Sequence, residues 1–414
     1  MYAEADGLKP PQDRFPESST MPIGLLALSL AAFSIGTSEF IIAGILPDLS
    51  ADLGVSIPTA GLLVTAYAFA VAIGGPLLAM GTTGLPRKPL IVFLLAIFSV
   101  GQAFCALAPS YSWLMAGRVF IASSHGLFFG VGSVAAINLV PAQKRGMAVA
   151  LFIGGITVAT VIGLPIGTAI GNAFGWRWTF VAVGLCGLAA LGLVALKLPH
   201  DPTQHENPAS LRSEFHALNH HQVYLSYLTI AVMMVGVLAF GAYQVPAMIA
   251  ISGIAQDATP LVLMISGLGA IIGIYAGGRA ADWKLMPSMM TILLAQVGAA
   301  GLLALTMPAA FAMVVALFIW SISVWALNAP VQSRILGAAR AAPHLASTLI
   351  STAYNIGIGG GAWIGALWID HGFGYRSLPV LGGGCSLLAM GVAAASWTLD
   401  RREPRRQLAS HPVE

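Results

Sequence analysis

Long apolar stretches, each cut off by a short cluster of charge, proline or glycine, run along nearly the whole chain. Twelve are long enough to cross a bilayer as helices, since a span needs about 20 residues. They lie near 22–45, 57–80, 89–108, 112–139, 145–171, 176–197, 222–251, 259–281, 287–306, 309–333, 345–369 and 376–399. The longer ones must tilt or protrude. The longest polar interruption, His200 to His221, divides them six and six. The pattern predicts an all-α membrane protein with twelve transmembrane helices in two six-helix bundles, 22–199 and 222–399.

Composition agrees. Of the 414 residues, 57% are hydrophobic and 8% charged, where a soluble domain carries about 25% charged residues. Cys105, Cys186 and Cys385 lie inside apolar runs without ligand-like spacing, so neither a disulfide framework nor a zinc site is expected. Residues 1–20 are polar and lack the basic-then-apolar layout of a cleaved signal peptide. A net charge of +3 gives no reason to expect nucleic acid.

Charge also orients the chain. With twelve spans both termini share one side, and that side holds sixteen of the nineteen Lys and Arg residues. The positive-inside rule makes it the cytoplasm. The tails 1–21 and 400–414 and the linker 200–221 are therefore expected there. Five of the nine histidines fall in the linker, without the regular spacing of metal ligands, and are expected to be solvated. No metal or other cofactor is expected.

The halves echo each other. Phe174-Gly-Trp-Arg177 opens the sixth span and Phe373-Gly-Tyr-Arg376 opens the twelfth, so the two lone outside arginines occupy equivalent places. Six plus six with parallel similarity is the layout of a two-bundle secondary transporter.

One acid, Glu39, lies well inside a span. A charge at such depth costs several kcal/mol and calls for a partner, water or a proton. Arg118, in the fourth span running the other way, falls at a similar depth, so a Glu39–Arg118 interaction is expected. His125 lies seven residues further on nearly the same helix face, about 10 Å deeper. It is either a proton relay or a neutral imidazole bonded to a main-chain carbonyl.

Several stretches together resemble the major facilitator superfamily over essentially the whole chain, and more narrowly its bacterial drug/sugar efflux branch named after an arabinose efflux permease. In the first half they are Gly36-Thr-Ser-Glu-Phe40, Leu46-Pro-Asp48, Leu63-Val-Thr-Ala-Tyr67, Leu85-Pro-Arg-Lys88, Arg118 and His125-Gly-Leu-Phe-Phe-Gly130, followed by Gly163-Leu-Pro-Ile-Gly167. In the second half they are Gly277-Gly-Arg-Ala-Ala-Asp282, Gln332-Ser-Arg-Ile335 and Gly374-Tyr-Arg376. The departures are an acid-free loop at Gly81-Thr-Thr-Gly84, Ala122 where the arginine motif usually has glycine, and Leu164 between the usually adjacent Gly163 and Pro165.

The resemblance implies that spans one and four line a central cavity, with Glu39, Arg118 and His125 on its proton side. It also implies that the fifth and eleventh spans lie between the halves. There the small residues Gly155, Ala159, Gly163, Gly167 and Gly171, and Gly357, Gly361 and Gly365, would form either a sliding seam or ordinary tight packing. Gly163, Pro165 and Gly167 are the expected hinge, and Arg87 and Asp282 the expected cytoplasmic gate. Tyr67, Phe128 and Phe129 from one half, and Tyr243, Gln244, Asn328, Gln332, Tyr354 and Asn355 from the other, are the expected substrate contacts near the midplane.

The expected function is export of a small organic compound, drug-like or a sugar, by proton antiport across the bacterial inner membrane, by a monomer. A facilitator of sugar or nucleoside movement, with Glu39 and Arg118 as a static pair, remains open, as does a non-transporting receptor. No ATP-binding motif occurs. No nucleophile–base set recurs at one depth, so no enzyme is expected.

Overall fold

A computed structural model describes residues 22–82, 84–199, 221–338 and 343–410. The expected tail 1–21, linker residues 200–220 and residues 411–414 lie outside them. Six helices build the first half: α1 (Ile23–Leu53), α2 (Ile57–Gly81), α3 (Arg87–Ala106), α4 (Tyr111–Asn138), the composite α5 and α6 (Trp176–Lys197). α5 joins Arg145–Val158, a π-helical turn Ala159–Gly163 and Leu164–Phe174. The second half has α7 (His221–Gly241, resuming at Gln244–Ala250), α8 (Thr259–Trp283), α9 (Leu285–Thr306), α10 (Ala310–Ala326 and Asn328–Ala338), α11 (Pro343–Asp370) and α12 (Leu378–Ser410).

Local sequence sets the ends. Ser56 and Ser110 cap α2 and α4 by accepting from Thr59 N and Trp113 N, and Gly54 ends α1 in the left-handed conformation at φ 63°. Eleven helices are, among the described residues, long and apolar enough to cross a bilayer. In α11, five glycines between Gly357 and Gly365 and the polar Ser351, Thr352, Tyr354 and Asn355 dilute the apolar character. α12 runs on to Ser410, past the expected end at 399.

Three spans that read as continuous in sequence are broken, each just upstream of a proline. Pro165, Pro246 and Pro330 supply no N–H for the carbonyls of Val161, Ala242 and Ala326, so the ladder loosens there. The π turn in α5 and the interruptions in α7 and α10 follow.

The two halves pack alike. α1 lies against α5 and α6, α2 against α4, and α3 against α4 and α6. α7 lies against α11 and α12, α8 against α10, and α9 against α10 and α12. Between halves, α2 meets α11 and α5 meets α8. The paired arginines close this symmetry: Arg177 Nη2 donates to Ala108 O at 3.0 Å and Arg376 Nε donates to Ala304 O at 3.0 Å. Each thus ties the start of its helix to the outer end of the bundle's third helix. Gly175 and Gly374, at φ 94° and 72°, make the turn that aims them.

Of the two readings left open for the small-residue stripes, the contacts favour ordinary tight packing. A Cβ on Gly155, Gly163 or Gly167 would meet Ser29 O, Thr37 Oγ1 or Ile41 Cδ1, all on α1. One on Gly357 or Gly361 would meet Ala231 O or Val235 O, on α7. Both stripes therefore lock helices within their own bundle, and the expected hinge residues Gly163 and Gly167 belong to that packing. A strict four-residue repeat drifts around a 3.6-residue helix, and the wider π turn takes up part of the drift. The close approaches between bundles lie elsewhere: Gly267 against Val161, Gly359 against Phe69, and Gly61 against Tyr243.

Topology is open to a direct check. Pro109 and Gln143 are exposed on the loops after α3 and α4. With the three native cysteines replaced, a cysteine at Pro109 is expected to react with an impermeant thiol reagent in intact cells. One at Gln143 should react only after lysis.

Candidate functional site

Four helices of the first bundle bring rare polar side chains to one place. Arg118 of α4 is fully buried, and its guanidinium lies 3.9 Å from the ring centroid of Tyr67 on α2. Its Nη1 donates to Ser38 O at 2.7 Å and to Ser38 Oγ at 3.2 Å, and its Nη2 to Glu39 O at 3.4 Å. Gln102 of α3 donates to Ser38 Oγ at 2.6 Å. The expected Glu39–Arg118 interaction is made through the main chain, Nη2 on Glu39 O, with no ion pair between the two side chains. Arg118 instead grips the main chain of α1, whose carbonyls are fixed targets, and leaves the Glu39 carboxyl without a hydrogen bond among the described residues. Glu39 is 8% exposed. The Nε of Arg118 and Oε1 of Gln102 are buried and also lack partners among the described residues.

Tyr67 extends the cluster inward. Its Oη lies 2.9 Å from His125 Nδ1, so His125 meets a phenol rather than the main-chain carbonyl weighed as its alternative partner. Phe129 packs against the His125 ring at 5.0 Å between centroids, and Phe128 and Phe152 continue the aromatic group. Phe128 is fully buried in the first bundle, which removes it from the expected substrate wall. Tyr67 is likewise buried, and it serves Arg118 and His125 rather than an open surface.

In the second bundle Tyr354 Oη bonds Asn328 Oδ1, joining α10 to α11, with half-buried Gln332 on the turn after Asn328. Asn355 is buried, and its Oδ1 has no partner among the described residues. Gln244 is half-buried where the outer part of α7 begins. Tyr243 is not a cavity residue: it is fully buried, donates to Ala362 O at 2.8 Å and packs on Gly61 of α2. It seals the outer half of the contact between bundles.

The expected cytoplasmic gate is not closed. Asp282 is exposed at the inner end of α8 and makes no ion pair with Arg87. Polar contact between bundles occurs on the opposite face. Asn172 Nδ2 donates to Gln256 O at 2.7 Å, and Gln256 Nε2 donates to Asp48 Oδ1 at 2.7 Å. These bonds, with Tyr243 against Gly61, join the two bundles at their outer ends.

A model of the Major Facilitator Superfamily matches residues 28–357 of the chain. The chain belongs to this superfamily.

Members of the superfamily known by name are close enough to align over most of the length. The inner membrane transport protein YdhP of Escherichia coli (strain K12) is 33% identical over 89% of this chain and 95% of its own. A chloramphenicol resistance protein of Streptomyces lividans is 32% identical over 85% and 90%. A probable sugar efflux transporter of Helicobacter pylori (strain J99) is 30% identical over 88% and 93%. Among solved structures, a D-xylose-proton symporter superposes with a TM-score of 0.71 at 16% identity, over 90% of this chain and 96% of that one. That likeness is one of fold. The protein is a multi-pass inner-membrane transporter, not an enzyme.

Sequence reasoning missed Ser38, Gln102, Asn172 and Gln256. Gln102 was legible, as a lone amide within the apolar run of α3. Asn172 and Gln256 were not, because ordinary polar residues at span ends carry no signal of their partners.

Proposed function

We propose that this transporter exports a small organic compound, drug-like or a sugar, in exchange for protons, with Glu39 as the proton-carrying group. The carrying observation is that Arg118 bonds the main chain beside Glu39 and makes no ion pair with its carboxyl. An arginine anchored on Ser38 and the main chain of α1 leaves the nearby carboxyl able to hold either a negative charge or a proton without unfolding the cluster. A carboxyl locked in a bidentate ion pair would not alternate in this way. Charged, Glu39 draws the guanidinium towards its side chain; protonated, it releases it to the main-chain site. Tyr67 lies beneath the guanidinium and against His125, so such a shift reaches the deeper cavity wall. Arg87 and Asp282 are the proposed inner gate, meeting when the cavity opens outward. The names of the chloramphenicol and sugar efflux relatives support export and a small-molecule substrate.

Glu39→Gln keeps shape and hydrogen bonding but cannot change charge. In proteoliposomes loaded with chloramphenicol or arabinose, whichever the parent protein accumulates, uphill movement driven by a pH gradient should fall at least about tenfold. Substrate exchange without a gradient should stay within about threefold of the parent. Unimpaired uphill transport by the folded variant would remove Glu39 from the proton path and favour another group.

A further inference from the structure

The residues that join the bundles at their outer ends form a compact polar group away from the Glu39 cluster. Asp48 lies near the outer end of α1, Asn172 near the outer end of α5, and Gln256 in the loop between α7 and α8. Gln256 belongs to one bundle and the other two to its mate. Its side chain and its main-chain oxygen are both used, the first on Asp48 and the second on Asn172. Both hydrogen bonds cross from bundle to bundle. Both lie at the solvent-exposed rim, where water competes and each bond is weak enough to break in every cycle.

We infer that Asp48, Gln256 and Asn172 are the outer gate of the transport cycle, a latch that forms when the bundles close on the outer side and must part before the cavity can open there. One feature suits a latch better than a permanent brace. Asp48 Oδ2 is buried and has no hydrogen-bond partner among the described residues. On this inference closing the latch dries one oxygen of an acid and opening it restores water to that oxygen, so the closed form carries its own opposing cost. Among the described residues no ion pair relieves it, and Arg177 pairs with Asp52 instead, at 2.7 Å. The inference needs only alternating access, which the fold supplies, and does not depend on Glu39 carrying protons.

Opposite substitutions should move the equilibrium in opposite directions. Nitroxide labels on cysteines at Pro109 and Ala309, exposed on outer loops of the two bundles, report the outer separation by pulsed electron resonance. The native cysteines are replaced in this background. Gln256→Glu sets a like charge against Asp48 and should enlarge the long-distance population several-fold. Gln256→Ala, which keeps the main-chain bond to Asn172, should shift it less in the same sense. Asp48→Asn keeps an acceptor for Gln256 but removes the dry charge, and should deplete the long-distance population. A group that merely braces the fold would open with any of the three. The inference is overturned if Gln256→Glu leaves the distance distribution unchanged, or if Asp48→Asn opens the outer face. Should Gln256→Glu fail to insert, Gln256→Ala and Asp48→Asn still decide it, because their shifts must differ in sign.

Discussion

Arg118→Met protein, with Glu39→Gln also in place, should insert and unfold at the same temperature as the parent or higher, yet lose transport in every mode. The arginine is fully buried, and an apolar side chain of similar length fills its space without the cost of drying a cation. Removing all the charges of a buried group together is commonly neutral or stabilising by about 1–4 kcal/mol. Removing one leaves the other uncompensated, so the stability comparison holds with Glu39→Gln also in place. Function should respond the other way. Without the guanidinium nothing answers a change of charge at Glu39, and nothing ties α4 to the main chain of α1 at Ser38. A lost contact of this kind is worth ~3 kcal/mol, or roughly a hundredfold in rate. Arg118→Lys should fail almost as badly, because one ammonium cannot reach Ser38 O and Glu39 O together while lying flat on Tyr67. Thermal unfolding and substrate exchange measured on the same preparation separate the outcomes. A variant that unfolds early would mark Arg118 as a structural tie; one that still transports would dismiss the cluster.

The second large effect is expected at adjacent glycines with opposite fates. A Cβ on Gly155 would lie 2.4 Å from Ser29 O and 2.9 Å from Phe33 N, both main-chain atoms of α1. Neither can rotate away, so Gly155→Ala should force the helices apart at a cost of about 2–3 kcal/mol. Next to it, a Cβ on Gly154 would find nothing within 4 Å. There alanine should be neutral or gain up to about 1 kcal/mol from helix propensity. The second bundle repeats the contrast. Gly361 would meet Val235 O at 2.4 Å, whereas Gly360 meets only a Val235 methyl at 3.4 Å. Thermal unfolding in detergent should rank Gly155→Ala and Gly361→Ala well below Gly154→Ala and Gly360→Ala. Equal stabilities would show that the bundles adjust to a methyl at these crossings.

Twelve spans, their orientation and the duplicated Arg177 and Arg376 are visible in the sequence because each is an interruption of an apolar background. Glu39 and Arg118 stand out for the same reason, and their common depth follows from counting residues along antiparallel helices. Which atoms meet is another matter. It depends on how each helix is rotated about its axis, and a helix that is apolar nearly all round gives little indication of that angle. So the glycines of α5 were legible as a stripe but not as a stripe facing α1. Tyr243 could be placed at the right height but not behind Gly61. The discontinuities at Pro165, Pro246 and Pro330 follow from local chemistry alone, since each proline withholds a donor from a known carbonyl.

Arg118 is held by oxygens that every amino acid carries, and this bears on how the protein can change over evolutionary time. A mutation at position 39 alters the acid but leaves the carbonyls of Ser38 and of residue 39 itself, and with them most of the arginine's anchorage. With Glu39 in its proposed coupling role, that group can therefore drift, be lost or be regained without a compensating change on α4. A lineage could pass between energised export and passive exchange through single substitutions, each intermediate keeping a folded, inserted and gated protein.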